Sequence, residues 1–183
     1  MNEKRRKGKM MRGKPVIVSI LGWSGVGKTT FIEAAIAECS RRGIPVAAFK
    51  KSRHSADLPP DGKDSSRFHA AGANPSIYLS ESEMLLLTAP PALMDAGAII
   101  ALCPCASIIF CEGLDIGEAL RVLVTGTETE EKALKRPLAA IDVIVAREQA
   151  MIELAAARNK RAFRPEPVGL FIDHLMKLED CND

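Results

Sequence analysis

Val16-Ile17-Val18-Ser19-Ile20-Leu21-Gly22-Trp23-Ser24-Gly25-Val26-Gly27-Lys28-Thr29-Thr30 is the stretch from which the rest of the chain can be read. Its first six residues are apolar and mostly β-branched, and they have the length of a buried strand. Gly22 to Thr29 then fit the pattern G-x-x-x-x-G-K-[ST] at every fixed position. Phe31, Ile32, Ala35 and Ile36 follow at helical spacing. Strand, glycine-rich turn and helix in this order is the setting in which the pattern holds a phosphate. Glycines let successive backbone N–H groups turn inward and approach an anion closely, and the helix start adds unpaired N–H groups and partial positive charge. The candidate phosphate contacts are therefore Gly22, Ser24, Gly25, Val26, Gly27, Lys28, Thr29 and Thr30. Lys28 is read as the charge on the β- and γ-phosphates and as a catalytic candidate, and Thr29 as a hydroxyl ligand for Mg²⁺.

Outward from this stretch, the pattern is α/β. Arg41-Arg42-Gly43 reads as a helix stop, and Pro45–Lys50 as a second strand, giving a parallel βαβ unit. Residues 51–64 form a long polar loop at the carboxyl end of that strand, the edge where open α/β sheets bind ligands. The loop carries His54, Asp57 and Lys63. Asp57 can add to a Mg²⁺ shell; His54 is either a phosphate or substrate contact or an exposed loop histidine; Lys63 either meets an anion or is simply solvated. Asp64-Ser65-Ser66 can cap a helix that Gly72 ends. Ser76–Ser80 and Glu83–Thr88 read as two strands joined by a turn, although the second run also permits a helix start. Pro90-Pro91 opens a helix expected to run to about Leu102. Ala106–Cys111 is a buried strand, with Arg121–Thr125 and Ile141–Ala146 as two more. Arg147–Asn159 is helical, residues 160–167 are a connector, and an amphipathic helix carries Val168 to Leu178.

Glu112 follows the run Ile108-Ile109-Phe110-Cys111. An acid at a strand end beside a phosphate loop can hold Mg²⁺ directly or through water, or polarise an attacking water. Glu112 is accordingly the second catalytic candidate, and Thr29, Asp57 and Glu112 are the candidate metal set. No Asn/Thr-Lys-x-Asp guanine motif is present, so the residues alone indicate a nucleoside triphosphate without naming its base.

Composition narrows the class. The chain has 183 residues, 47% of them hydrophobic, and no apolar run of the roughly 18 residues that span a bilayer. The first 14 residues hold seven of the 25 Lys/Arg and one of the 23 acids, which leaves the remainder at a net −4. That basic tail, 1–14, is read as disordered and solvated, with a nucleic-acid or acidic-partner contact as the alternative. The rest, 15–183, is read as a single nucleotide-binding domain. The apolar run after the tail, Val16–Leu21, is too short for a signal peptide and enters the phosphate loop directly, and five cysteines without such a signal indicate reduced thiols and a cytoplasmic location. Neither a membrane nor a nucleic acid is expected as a partner.

Three separated blocks carry a resemblance: Gly22–Thr30 with its preceding strand, Asp57 with Gly62-Lys63-Asp64-Ser65-Ser66-Arg67 and Ala71-Gly72-Ala73, and Ile109–Gly113. Together they resemble the MobB family of molybdopterin-guanine dinucleotide biosynthesis adapter proteins, over roughly residues 15–115. The resemblance implies a three-layer P-loop NTPase fold, with a mostly parallel twisted sheet and helices on both faces. It also implies GTP and Mg²⁺ binding with weak hydrolysis, a homodimer, and partnership with the guanylyltransferase that attaches GMP to molybdopterin. His54 matches a histidine that the family places after its second strand. Two places depart from the family pattern. Lys50-Lys51 stands where the family has Lys-His, and Glu112-Gly113-Leu114-Asp115 continues without the family's Lys and Pro-Lys-Ile-Glu segment. Two alternatives share the fold: a small-molecule kinase, and a nucleotide-gated metal-insertion chaperone using Cys103, Cys105 and His54.

Overall fold

The computed structural model describes residues 14–52 and 64–180, without the side chains of residues 179 and 180. The basic tail, Lys14 apart, lies outside them. The elements in chain order are β1 (Val16–Leu21), α1 (Lys28–Arg42), β2 (Val46–Lys50), α2 (Asp64–Ala70), β3 (Ser76–Leu79), β4 (Met84–Leu87), α3 (Ala96–Leu102), β5 (Ile108–Glu112), β6 (Leu120–Val124), β7 (Val143–Val145), α4 (Gln149–Ala157), β8 (Arg161–Phe163) and α5 (Gly169–Asp180). They form two compact units, one of residues 1–51 with 95–183 and one of residues 52–94.

The larger unit is built on a six-stranded sheet of order β2-β5-β1-β6-β7-β8, parallel throughout. All six residues of β1 are buried, as the middle strand of a sheet covered on both faces requires. Alternation along the strands sends side chains to opposite faces. Val16, Val18 and Ile20 of β1, Ile108 and Phe110 of β5, and Val122 and Val124 of β6 pack against Phe31, Ile32 and Ala35 of α1 and Phe171, Ile172 and Leu175 of α5. Leu21, Leu123 and Ile144 point the other way, onto Met151 and Ala155 of α4 together with Leu138 and Ile141. The sheet therefore lies between helical layers, as expected. The rings of Phe31 and Phe171 meet at 5.1 Å between centroids, a contact worth about 1 kcal/mol beyond the area it buries.

Helix α1 stops where the sequence indicates. Gly43 adopts φ 72° and donates its N–H back to the last turn, a cap only glycine enters without strain. Arg42 then ties α1 to α5 through Asp173 Oδ1 at 2.5 Å and the Gly169 carbonyl at 3.3 Å.

Three elements differ from expectation. The helix expected from Pro90 begins only at Ala96, because the Asp95 carboxylate accepts the Ala98 N–H at 2.9 Å and caps the helix there. The strand expected to end at Cys111 includes Glu112, which pairs with Ile20 on β1 and Lys50 on β2. Within the 160–167 connector lies a sixth strand, β8, which pairs Arg161, Ala162 and Phe163 with Val143, Ile144 and Val145. Three residues are too few for an alternating pattern to show.

In the smaller unit, β3 and β4 form an antiparallel hairpin, so Met84–Leu87 is a strand rather than a helix start. The turn is closed by Ser80, whose N–H donates to Glu83 O at 2.9 Å and whose Oγ accepts the Glu83 N–H at 3.0 Å. Ser76 Oγ donates to Ser65 O at 2.8 Å, joining the hairpin to α2. The pairs Ile77–Leu86 and Leu79–Met84 share one face of the hairpin, and all four side chains are exposed. Among the described residues no helix is long and apolar enough to cross a membrane.

Candidate functional site

The site is built where β1 runs into α1. Gly22 sits at φ 144°, and a Cβ there would lie 2.4 Å from the Val124 carbonyl oxygen. No other residue fits between β1 and the end of β6 without moving backbone. Gly25 and Gly27, at φ 81° and 91°, turn the chain into the first turn of α1. The loop therefore wraps the head of a 15-residue helix whose first turn holds no acid, a concentration of N–H groups and positive potential. Lys28 opens the helix and folds its Nζ back to donate to the Trp23 carbonyl at 2.5 Å. Burial holds its pKa below the ordinary lysine value; the Glu112 carboxylate opposes that shift, while Lys135 and Lys50 reinforce it.

Glu112 meets this loop from β5. Thr29 Oγ1 donates to both carboxylate oxygens, at 3.1 and 2.9 Å, and Lys50 Nζ lies 3.6 Å from one of them. The acid's backbone is fixed on both sides: Lys51 N–H donates to Glu112 O at 3.0 Å, and Gly113 N–H donates to Ile20 O at 3.3 Å. A hydroxyl and a carboxylate, both hard oxygen donors, thus converge at the head of α1, the donor chemistry Mg²⁺ selects. Among the described residues no group of three or more His, Cys, Asp or Glu is assembled that could hold a metal.

The expected contacts Gly22, Ser24, Gly25, Val26, Gly27, Lys28, Thr29 and Thr30 occupy this one loop and helix start, and Glu112 joins them. His54, Asp57 and Lys63 lie outside the described residues. Lys50 and Lys135, which no motif singled out, converge on the loop as well, and Trp23 within the loop reaches out of it. Lys50 reaches Glu112. Trp23 Nε1 donates to Ala133 O at 3.0 Å. Lys135 Nζ donates to Gly22 O at 3.1 Å and lies 5.9 Å from the Trp23 ring centroid. Ala133 and Lys135 belong to the β6–β7 connection, more than a hundred residues from the loop, where spacing gives no signal. The segment that departs from the family pattern is also engaged: Asp115 accepts Arg121 Nε at 2.9 Å and pairs with Arg136 at 3.2 Å. Beside Gly27 and Thr30 a small cleft of about 40 Å³ is lined by Thr125, Arg147 and Glu166, past the ends of β6, β7 and β8.

A parallel sheet of this order, with a glycine-rich loop between its central strand and the first helix, defines a P-loop NTPase-like α/β protein. The family described as "Molybdopterin guanine dinucleotide synthesis protein B", MobB, matches residues 17–146. The chain belongs to that family. It is 36% identical over 83 residues to the molybdopterin-guanine dinucleotide biosynthesis adapter protein of Escherichia coli K12. It is 35% identical over 81 residues to the protein of that description in Haemophilus influenzae. These alignments take in 44% of this chain and 47% and 46% of the two relatives, so the chain spans about half the length of the curated relatives it matches. The crystal structure of Bacillus subtilis MobB shares the fold, with a TM-score of 0.66 at 22% identity over 88% of this chain and 96% of that one.

Proposed function

We propose that this chain is a Mg²⁺-dependent GTP-binding adapter in molybdopterin guanine dinucleotide biosynthesis, with weak GTP hydrolysis. The observation that carries the reading is the junction of Thr29 and Glu112 at the head of α1. Gly22–Thr30 would cradle the phosphates, and Lys28 would leave the Trp23 carbonyl for the β- and γ-oxygens. Thr29 and Glu112, with Asp57, would hold Mg²⁺, which supplies charge neutralisation across the phosphates. Lys28 stabilises charge on the transferred phosphoryl group, and Glu112 is placed to orient an attacking water. Such a site alone turns over slowly.

Guanine is supported by the cleft beside Thr30. Glu166 is its one carboxylate among the described lining residues, and a carboxylate matches the paired N–H donors of guanine better than the mixed edge of adenine. The homodimer is supported by the exposed apolar face of the β3–β4 hairpin, since a two-stranded ribbon is marginal alone. We place residues 15–183 in the cytoplasm as one nucleotide-binding domain. There it acts beside the guanylyltransferase that joins GMP to molybdopterin, consistent with the biosynthetic relatives. A panel of GTP, GDP, ATP and ADP titrated with and without Mg²⁺ tests the reading. GTP should bind most tightly and only with the metal; a clear ATP preference would sink it and favour a kinase.

A further inference from the structure

Lys28 and Lys135 place their ammonium groups on successive carbonyl oxygens of the phosphate loop, Lys28 on Trp23 O at 2.5 Å and Lys135 on Gly22 O at 3.1 Å. The first is the loop's own lysine. The second arrives from the β6–β7 connection, 113 residues away in sequence. That connection is anchored rather than loose. Leu138 and Ile141 are buried beneath it, Glu131 accepts the Leu138 N–H at 3.3 Å and pairs with Arg158 at 2.9 Å, and Trp23 Nε1 staples Ala133. Lys135 is therefore presented to the loop by a braced segment.

Among the described residues its charge is not consumed by a neighbour. The acids around it are engaged elsewhere: Glu130 with Lys132, Glu131 with Arg158, and Glu128 with the Gly126 N–H. Among the described residues Lys135 forms no ion pair; its partners are a carbonyl oxygen and the Trp23 ring. Lys135 also helps hold the Lys28 pKa down, so the two charges sense each other. Two ammonium groups on adjacent carbonyls of one loop repel until an anion comes between them.

We propose that Lys135 is a second phosphate-contacting cation, supplied in cis by the β6–β7 connection and directed at the terminal phosphate of a bound nucleoside triphosphate. The inference rests on the nucleotide-binding reading above. It gives the site a second cation that the loop motif does not contain, and it ties the segment around Trp23 to the phosphate chain length. Because Trp23 is the chain's one tryptophan and lies against both Ala133 and Lys135, its fluorescence reports directly on whether this corner responds.

The test titrates the full chain, in Mg²⁺, with GTP, GDP and inorganic tripolyphosphate, following calorimetry and Trp23 fluorescence together. GTP and tripolyphosphate should shift the emission of the unsubstituted protein, and GDP much less. Lys135→Ala should weaken GTP and tripolyphosphate about tenfold, as loss of one charge-assisted contact does, and leave GDP within about twofold. Lys135→Arg should recover most of the loss. Trp23→Phe, which removes the bond to Ala133 and keeps a ring, separates bracing from contact. Unchanged GTP affinity in Lys135→Ala overturns the proposal. So does an equal weakening of GTP and GDP that Trp23→Phe reproduces, because that is a brace and not a contact. Tripolyphosphate bound through Lys135 by a protein that ignores GTP would overturn the guanine reading and uphold this one; no binding of either overturns both.

Discussion

In the six-stranded sheet, β1 lies between β5 and β6 with every residue buried, whereas in the β3–β4 hairpin Ile77, Leu79, Met84 and Leu86 all face outward. The same residue types serve opposite ends. In the parallel sheet, apolar alternation fills two helix-covered faces and leaves the polar chemistry to the strand ends, where Glu112 and the Gly22–Thr29 loop meet. In the hairpin the Leu79 face is exposed among the described residues, and exposed apolar area of that kind often marks a surface for association. The proposed nucleotide site and the proposed dimer face thus fall in different units, and substitutions in one should leave the other's readout in place.

Lys28→Ala breaks the comparison most severely if it is wrong. Triphosphate affinity should fall at least about 100-fold, about 3 kcal/mol, while circular dichroism and the dimer in sedimentation stay as they were. Gly22→Ala acts on the fold of the larger unit. Its new methyl meets the Val124 carbonyl at a positive φ, and denaturant unfolding should report a loss of about 2 kcal/mol. Leu79→Asp is the reciprocal change. Sedimentation should show the dimer weakened at least about tenfold, about 1.4 kcal/mol, with GTP affinity unchanged within twofold; an unaffected dimer would move the interface off the hairpin. The smallest effect is acid-dependent. Arg41 and then Arg42 hold the Glu38 carboxyl at about 2, below the ordinary glutamate value of 4.5. A depressed folded pKa contributes stability above pH 4.5 and loses it as pH falls toward 2. The thermal midpoint of wild type should therefore exceed that of Glu38→Gln at pH 7, and the gap should close between those two pH values.

What could be read in advance followed from how local each signal is. The strand, loop and helix at Val16–Arg42 were legible because one motif fixes the conformation, the glycines and the chemistry together. Glu112 was legible because a buried apolar run ends on it. The strand β8 was not, since Arg161–Phe163 is too short for periodicity and is held by its ladder to β7. Lys135 was not, because it reaches Gly22 from a connection with no pattern of its own, and only the parallel order β1-β6-β7 brings that connection to the loop. The cap at Asp95 overrode the prolines at 90 and 91 for a simpler reason: a side chain that accepts an N–H at the first turn defines a helix start more sharply than a residue merely tolerated there.

Cys39 lies on α1 and Cys111 immediately before Glu112, both buried, with burial pushing each thiol up to about 11. At neutral pH neither presents the thiolate that alkylating reagents attack. Each becomes reactive only when the layer above it lifts, so the pace of labelling at these two positions clocks how often the core breathes. Cys105, exposed at the turn before β5, reacts without waiting and sets the zero of that clock. The larger unit thus carries two timers, Cys111 beside Glu112 and Cys39 in the last turn of α1, and a ligand bound at the head of α1 should slow Cys111 more than Cys39.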